Sequence, residues 1–147
     1  MERSWMLALM ALAGGMIALQ APINAGLGRS VGTFAAATIS FGVGTIALVG
    51  ITLAVGGGFG ETGGALRLPW IYLIGGLLGA VYVASALFTV KTLGAGGVAA
   101  ATITGQLIAA IVIDQLGVLG LDARPLTWER VLGVALLVAG TYLVVTK

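Results

Sequence analysis

Cysteine and histidine are both absent from this chain of 147 residues. Their absence excludes disulfide bonds, thiol nucleophiles, imidazole bases and the usual transition-metal sites. Charged residues make up only 8% of the chain, whereas ordinary soluble domains carry roughly 25%. The net charge of +2 is too small and scattered for a nucleic-acid-binding surface. No HExxH or Walker motif occurs either, and the GxSxG sequence at Gly28–Gly32 has no histidine in the chain to activate its serine. We therefore expect no enzymatic activity, no metal or other cofactor and no nucleic-acid partner.

Long apolar stretches take up nearly all of the chain, of which 59% is hydrophobic. A helix needs roughly 20 apolar residues to cross a hydrocarbon core about 30 Å thick. Four stretches longer than this contain no charged residue, namely residues 4–28, 30–60, 68–90 and 92–113. The pattern predicts an all-α polytopic membrane protein, a single domain over residues 1–147, with helices near 4–24, 31–55, 69–90, 96–117 and 127–146. The last helix is the shortest, because only 16 uncharged residues follow Arg130.

Glycine and proline mark the predicted joints between these helices. A glycine-rich segment follows the second helix, and Pro69 is placed to open the third as a first-turn proline. The third and fourth helices are separated by the short segment Gly94-Ala95-Gly96-Gly97. So short a connection predicts that these two helices form an antiparallel hairpin.

The basic residues hardly distinguish one side of the membrane from the other. If the chain has five spans, four basic residues lie on the N-terminal side (Arg3, Arg67, Arg124 and Arg130) and three lie on the opposite side (Arg29, Lys91 and Lys147). This count sets the orientation of membrane proteins, so a bias of four to three predicts insertion in both orientations or an orientation that depends on a partner. The alternative is a single orientation fixed by the free α-amino group or by an accessory factor.

An odd number of spans leads to the same expectation. Two five-helix units joined head to tail have opposite orientations, which is how inverted-repeat transporters are built. The chain is therefore predicted to form half of a ten-helix inverted-repeat assembly in the lipid bilayer. Its partner is a second copy, or a short paralogue, in the opposite orientation.

Several segments in a fixed order resemble one known family. These are Gln20–Arg29, Ala36–Gly44, Trp70–Gly79, Gly105–Leu107, Ile113–Gly117 and Arg130–Gly133. Together they resemble the short YdcZ-like branch of the drug/metabolite transporter superfamily. The resemblance implies a five-helix half-transporter in a bacterial inner membrane that exports small organic metabolites or drugs.

A related branch couples export to protons through a carboxylate that this chain lacks. The four-helix small multidrug resistance branch uses a glutamate midway along its first helix. Positions 8–19 here are all apolar residues or glycine. Proton-coupled export of cations through that carboxylate is therefore not expected.

Polar residues on the fourth predicted helix are the first candidates for function, because polar groups inside the membrane usually face protein, water or solute. Thr102, Gln106 and Asp114 lie on one helical row. Gln106 falls near the middle of its span and either binds a solute or joins two helices. Asp114 lies about one turn from the helix end, where it either pairs with an arginine (Arg67, Arg124 or Arg130) or takes part in ion coupling.

A second set of candidates lies on the first and third helices. Gln20 and Asn24 share a row, with Pro22 between them. This arrangement predicts either a broken helix lined by amides, as transporter sites often have, or a simple helix end capped by Asn24. Tyr82 on the third helix completes the predicted substrate-binding set of Gln106, Tyr82, Gln20, Asn24 and Thr102.

Rows of small residues predict where helices pack, because lipid provides no hydrophobic drive for helix association and small residues let backbones approach closely. The sequence does not tell whether they join helices of one chain or of two. The residues concerned are Gly75 with Gly79, Gly76 with Ala80, and Ala101, Gly105 and Ala109.

The sequence thus favours a transporter of an unknown small solute. The alternative, from a different class, is a structural or accessory membrane subunit that transports nothing.

Overall fold

The computed structural model describes residues 2–60 and 62–146. This part of the chain contains no strand and is built from four α-helices: α1 (Glu2–Val31), α2 (Thr33–Ala54), α3 (Gly75–Leu116) and α4 (Trp128–Val145). Two short 3₁₀ segments, Thr62–Arg67 and Trp70–Leu73, connect α2 to α3. All four helices are long and apolar enough to cross a membrane, so the all-α membrane class is confirmed. Of the basic residues counted for orientation, Lys147 and the side chain of Arg3 lie outside the described part.

The first helix continues beyond its predicted end near residue 24 and stops at Val31. Pro22 lies inside it and, having no N–H, leaves the carbonyl of Ala18 without its usual helical partner. Membrane helices tolerate such a proline, so the helix passes through it, and Asn24 is an interior residue and not a cap. Gly32 ends α1 with φ +86 and is also the residue before α2. A left-handed φ suits glycine alone, which allows a connection of one residue.

The third helix joins two segments that the sequence separates. Within Gly75–Leu116 only Gly94 departs from helical geometry, with φ 69 and ψ 169, so the interruption is one residue where four were predicted. This backbone conformation is open essentially to glycine alone. The start also differs from the prediction: Pro69 is extended, at φ −52 and ψ 138, and the chain then forms a 3₁₀ turn before the α-helix begins. The predicted fifth helix, near 127–146, coincides with α4.

The described chain divides into two compact units. The central unit is Leu19–Lys91, and the terminal unit comprises the residues up to Ala18 and from Thr92 onward. One division point is Ala18, the residue whose carbonyl Pro22 leaves unpaired, and the other lies three residues before Gly94. Both divisions therefore fall where a helix loses regular hydrogen bonding or geometry.

In the central unit the helices run antiparallel to their neighbours. Asn24 contacts Ser40, and a Cβ added at Gly28 would lie 3.7 Å from the Cβ of Ala36. These pairs are symmetric about Gly32, which makes α1 and α2 antiparallel. The α2–α3 packing is also antiparallel, because Phe34 meets Phe88 edge to face at 5.5 Å and Phe41 meets Gly79. Ala36, Val83 and Leu87 form the buried centre of this unit, with Leu27, Ala37 and Tyr82 packed against it.

In the terminal unit the later part of α3 packs antiparallel against α4. The hydroxyls of Thr104 and Thr141 lie 2.6 Å apart, and Thr141 donates to the Ala100 carbonyl at 3.1 Å. At the C-terminal end of α4, a Cβ added at Gly97 would lie 3.6 Å from Val145 Cγ2. A hydroxyl bond between helices contributes roughly 0.6 kcal/mol in a membrane, so most of this packing rests on close apolar contact.

Candidate solute-binding site

The buried amide of Asn24 connects α1 to α2. Asn24 is 5% exposed, and its Nδ2 donates a hydrogen bond of 3.0 Å to Ser40 Oγ. Both residues reach each other because Gly32 turns the chain sharply enough to bring the last turns of α1 against the first turns of α2. This is a fixed contact between polar side chains on two membrane helices, and it positions the remaining oxygen of the amide.

Three polar side chains then meet where α1 packs against the first part of α3. Gln20 and Asn24 of α1 and Tyr82 of α3 line one narrow cavity, and we call them the polar cluster. The rest of the lining is apolar, consisting of Ala21, Val83, Ala86 and Leu87. In this conformation the space between these side chains is too narrow for a water molecule.

Most hydrogen-bonding groups of the polar cluster have no partner within the described chain. Asn24 Nδ2 bonds to Ser40, but Asn24 Oδ1, the amide of Gln20 and the phenol of Tyr82 bond to no described residue. An unpaired polar group in a membrane interior costs several kcal/mol by transfer measurements. Two hydroxyls of α2, by contrast, are satisfied locally: Thr38 and Thr52 donate to the carbonyls of Phe34 and Leu48 of their own helix. Among the described residues, Arg130 Nη1 is the only buried side-chain N or O atom without a partner, so the unpaired groups of the polar cluster are accessible at the surface of the central unit.

The structure brings together Gln20, Asn24 and Tyr82 from the predicted substrate-binding set. Gln106 and Thr102 belong to the terminal unit. Thr102 is half-buried, whereas Gln106 is exposed, and neither side chain bonds to a described residue. An exposed amide near the middle of an apolar helix calls for a partner, which a solute or another protein surface can provide.

Ser40 is the residue that sequence reasoning missed. Its contact with Asn24 depends on the one-residue connection at Gly32, which the predicted end of the first helix near residue 24 does not allow. The available signal is symmetry about Gly32: a helix that continues to Val31 places positions 24 and 40 opposite each other. Once α1 is extended, the pairing follows from sequence spacing.

Asp114 forms an ion pair with Arg130 that joins the end of α3 to the start of α4. Arg130 Nη2 lies 3.2 Å from Asp114 Oδ2, and the two side chains are 29% and 31% exposed. The backbone adds to this connection, since the Asp114 carbonyl accepts a 2.8 Å bond from the N–H of Arg124. Gln115 Oε1 accepts a 2.5 Å bond from the N–H of Leu126. Arg130 Nη1 is buried without a hydrogen-bond partner in the described chain. Among the described residues, Asp114 is thus the only carboxylate paired with this arginine, and the pair neutralises both charges.

The rows of small residues differ in whether another part of the chain packs against them. A Cβ added at Gly79 would meet the Phe41 ring at 3.4 Å, so this glycine is in close contact within the central unit. At Gly75, Gly76 and Gly105 an added Cβ would meet nothing within 4 Å. Ala101 and Ala109, one turn to either side of Gly105, are exposed, as is Ala80. The row Ala101, Gly105 and Ala109 is therefore an uncovered helix face, and Gln106 is next to it.

Comparison with known proteins places the chain in a family. The family described as "Putative inner membrane exporter, YdcZ" matches residues 5–143. No curated protein and no solved structure matches the chain significantly. The matched range reaches all four helices and includes both the polar cluster and the Asp114–Arg130 pair. Its description is that of a membrane exporter and not of an enzyme. Because the match extends over nearly the whole chain, the resemblance noted in the sequence is confirmed, and the protein belongs to the YdcZ family.

Proposed function

We propose that the chain is half of a small-solute exporter that works by alternating access, paired with a second copy or a short paralogue in the opposite orientation. The observation that carries this proposal is the polar cluster, in which three side chains from two helices hold unpaired, accessible hydrogen-bonding groups in an otherwise apolar lining. A static structural subunit gains nothing from such groups, since they cost free energy in a membrane. A carrier gains a site that can bind a solute and release it.

The proposal includes five membrane crossings. The 42 residues of α3 correspond to about 63 Å at 1.5 Å per residue, about twice the hydrocarbon thickness. Gly94 divides this helix into stretches of 19 and 22 residues, each suited to one crossing. Five crossings leave the two ends of the chain on opposite sides, as a half-transporter needs for an inverted pair.

The second chain has a suitable surface to cover. The face formed by Ala101, Gly105 and Ala109 is open in the single chain, and small residues at this spacing let two helices approach closely. Gln106 is adjacent to this face and needs a hydrogen-bonding partner. In the assembly, Gln106 and Thr102 therefore lie near the contact between chains, where they contribute to the path of the solute.

Solute flux tests the transport proposal directly. In liposomes containing the purified protein, we expect at least one small organic solute to move faster than in protein-free liposomes. Tyr82→Phe, which removes one unpaired hydroxyl, is expected to slow this flux several-fold. Thr52→Val is the matched control, because the Thr52 hydroxyl is already bound to the Leu48 carbonyl at 2.8 Å. If no solute moves and Tyr82→Phe alters only thermal stability, the chain is an accessory subunit.

The antiparallel pair predicts that each loop is found on both sides of the membrane. Single cysteines at Ser30 and Leu121 suit this test, because both residues are exposed, the chain has no native cysteine, and every basic residue is kept. An impermeant thiol reagent is expected to label about half of each population from outside and the remainder after permeabilisation. Complete labelling of each position from one side only rules out dual orientation, and then an oppositely oriented paralogue must form the pair.

A further inference from the structure

The lining of the polar cluster contains no acid and no strong base. Its polar members are two amides and a phenol, and its other members are apolar. The described charged residues of the central unit, Arg29, Arg67 and Lys91, are all exposed. Arg29 follows Asn24 by five positions, which turns it about 140° away around α1. Within the described chain, no counter-charge is therefore available at the cavity.

Charge elsewhere does not change this conclusion. The ion pair of Asp114 with Arg130 belongs to the terminal unit, and its two charges compensate each other. Moving an ion out of water into an apolar site without an opposite charge costs several kcal/mol even after relaxation. A site of this composition therefore disfavours ions relative to neutral solutes.

The hydrogen-bonding groups do match a neutral polar molecule. One N–H of Asn24 Nδ2 is donated to Ser40, so Asn24 keeps its second N–H as a donor and Oδ1 as an acceptor for an N–H or O–H group. The Gln20 amide and the Tyr82 phenol can each donate and accept. The apolar part of the lining, Ala21, Val83, Ala86 and Leu87, suits an aliphatic body.

We infer that the polar cluster selects an uncharged solute of the amide or alcohol class, with at least one donor directed to Asn24 Oδ1 and a small aliphatic body. This inference rests on the proposed transport function and names its substrate class. It also accounts for a first helix that lacks a carboxylate over positions 8–19, because a neutral solute needs no fixed charge of opposite sign.

Three leucine derivatives with the same side chain test the inference. N-acetyl-leucinamide is neutral, leucinamide is a cation and N-acetyl-leucine is an anion. At pH 6 the amine and the carboxyl group are each about two pH units from their pKa values, so the charges are well defined. Binding to the purified protein by calorimetry and uptake into liposomes are both expected to favour the neutral probe at least tenfold over either ion. Thr52→Val should keep this order.

Variants of Asn24 and Tyr82 sharpen the test. Asn24→Asp places a carboxylate in the cavity and is expected to reverse the preference towards leucinamide. If Asn24→Asp does not fold, Tyr82→Phe serves instead, with weaker binding of the neutral probe and an unchanged order of preference. Stronger binding of either ion by the unmodified protein overturns the inference and leaves the transport proposal intact. Failure of all three probes to bind also overturns it, and the flux screen then decides independently whether the protein transports any solute.

Discussion

Replacing Gln106 with alanine is expected to reduce solute flux at least tenfold while the proposed antiparallel pair stays assembled. Gln106 is exposed near the middle of the second stretch of α3 and bonds to no described residue. Its amide needs a partner wherever lipid is excluded, and the middle of the membrane is where inverted-repeat carriers bind their solutes. A tenfold loss corresponds to about 1.4 kcal/mol, which is the size of one lost hydrogen bond to a solute.

The control for this experiment lies two turns along the same helix. Asp114→Asn is expected to leave flux near normal, because Asp114 is occupied by Arg130. Initial flux rates of both variants, with chemical cross-linking to verify the pair, provide the comparison. If Asp114→Asn abolishes transport and its pH dependence while Gln106→Ala is near normal, the carboxylate is the coupling group and the assigned importance of the two residues is wrong.

Removing the carboxylate of Asp114 is expected to destabilise the terminal unit. In Asp114→Ala, Arg130 loses its counter-charge. Its Nη1 is already buried without a partner in the described chain, so the guanidinium is left with even fewer partners. Breaking a buried ion pair costs roughly 3–5 kcal/mol. Both side chains here are about one-third exposed, so we expect a smaller loss of unfolding free energy, about 1–2 kcal/mol. Denaturation in mixed micelles measures it.

The same pair allows an unusual control, in which the two charges are exchanged. Asp114 lies near the C-terminus of α3, and Arg130 lies in the first turn of α4. Both positions oppose the helix dipoles, which favour cations at C-termini and anions at N-termini by about 0.3–1 kcal/mol each. The double variant Asp114→Arg with Arg130→Asp should therefore be at least as stable as the unmodified protein. If it is as unstable as Asp114→Ala, the effect comes from packing and not from charge.

The sequence predicts a helix end correctly where charged residues and helix-breaking residues indicate the same position. The last helix is predicted near 127–146 and is observed at Trp128–Val145, because Pro125 and an uncharged run define both of its ends. The predicted end of α1 is wrong, because Pro22 and the glycines after it are typical of a helix terminus in water. In a membrane, leaving the helix exposes many backbone groups, whereas passing through one proline exposes few.

The candidate site is predictable only along single helices. Gln20 and Asn24, four residues apart, line one cavity, as helical periodicity requires. Their meeting with Tyr82 and Ser40 depends on which helices pack together, and in an apolar membrane protein nearly every helix face is hydrophobic enough to pack. The positive φ of Gly32 determines one of these neighbours, and sequence spacing identifies Ser40 only once α1 is known to continue to Val31.

The short length of α4 has a consequence for the lipid around the protein. Its 18 residues span about 27 Å at 1.5 Å per residue, less than the hydrocarbon core of an average bilayer, while the membrane-spanning part of α1 has 28 residues. A flanking arginine that extends towards the headgroups often compensates for the mismatch between a short helix and the hydrocarbon core. Here Arg130 is held by Asp114. We therefore expect the bilayer to thin around α4, at a fraction of a kcal/mol per Å. Acyl-chain length is therefore expected to affect this protein as a destabilising mutation would, so flux rates measured in liposomes of different lipids cannot be compared directly.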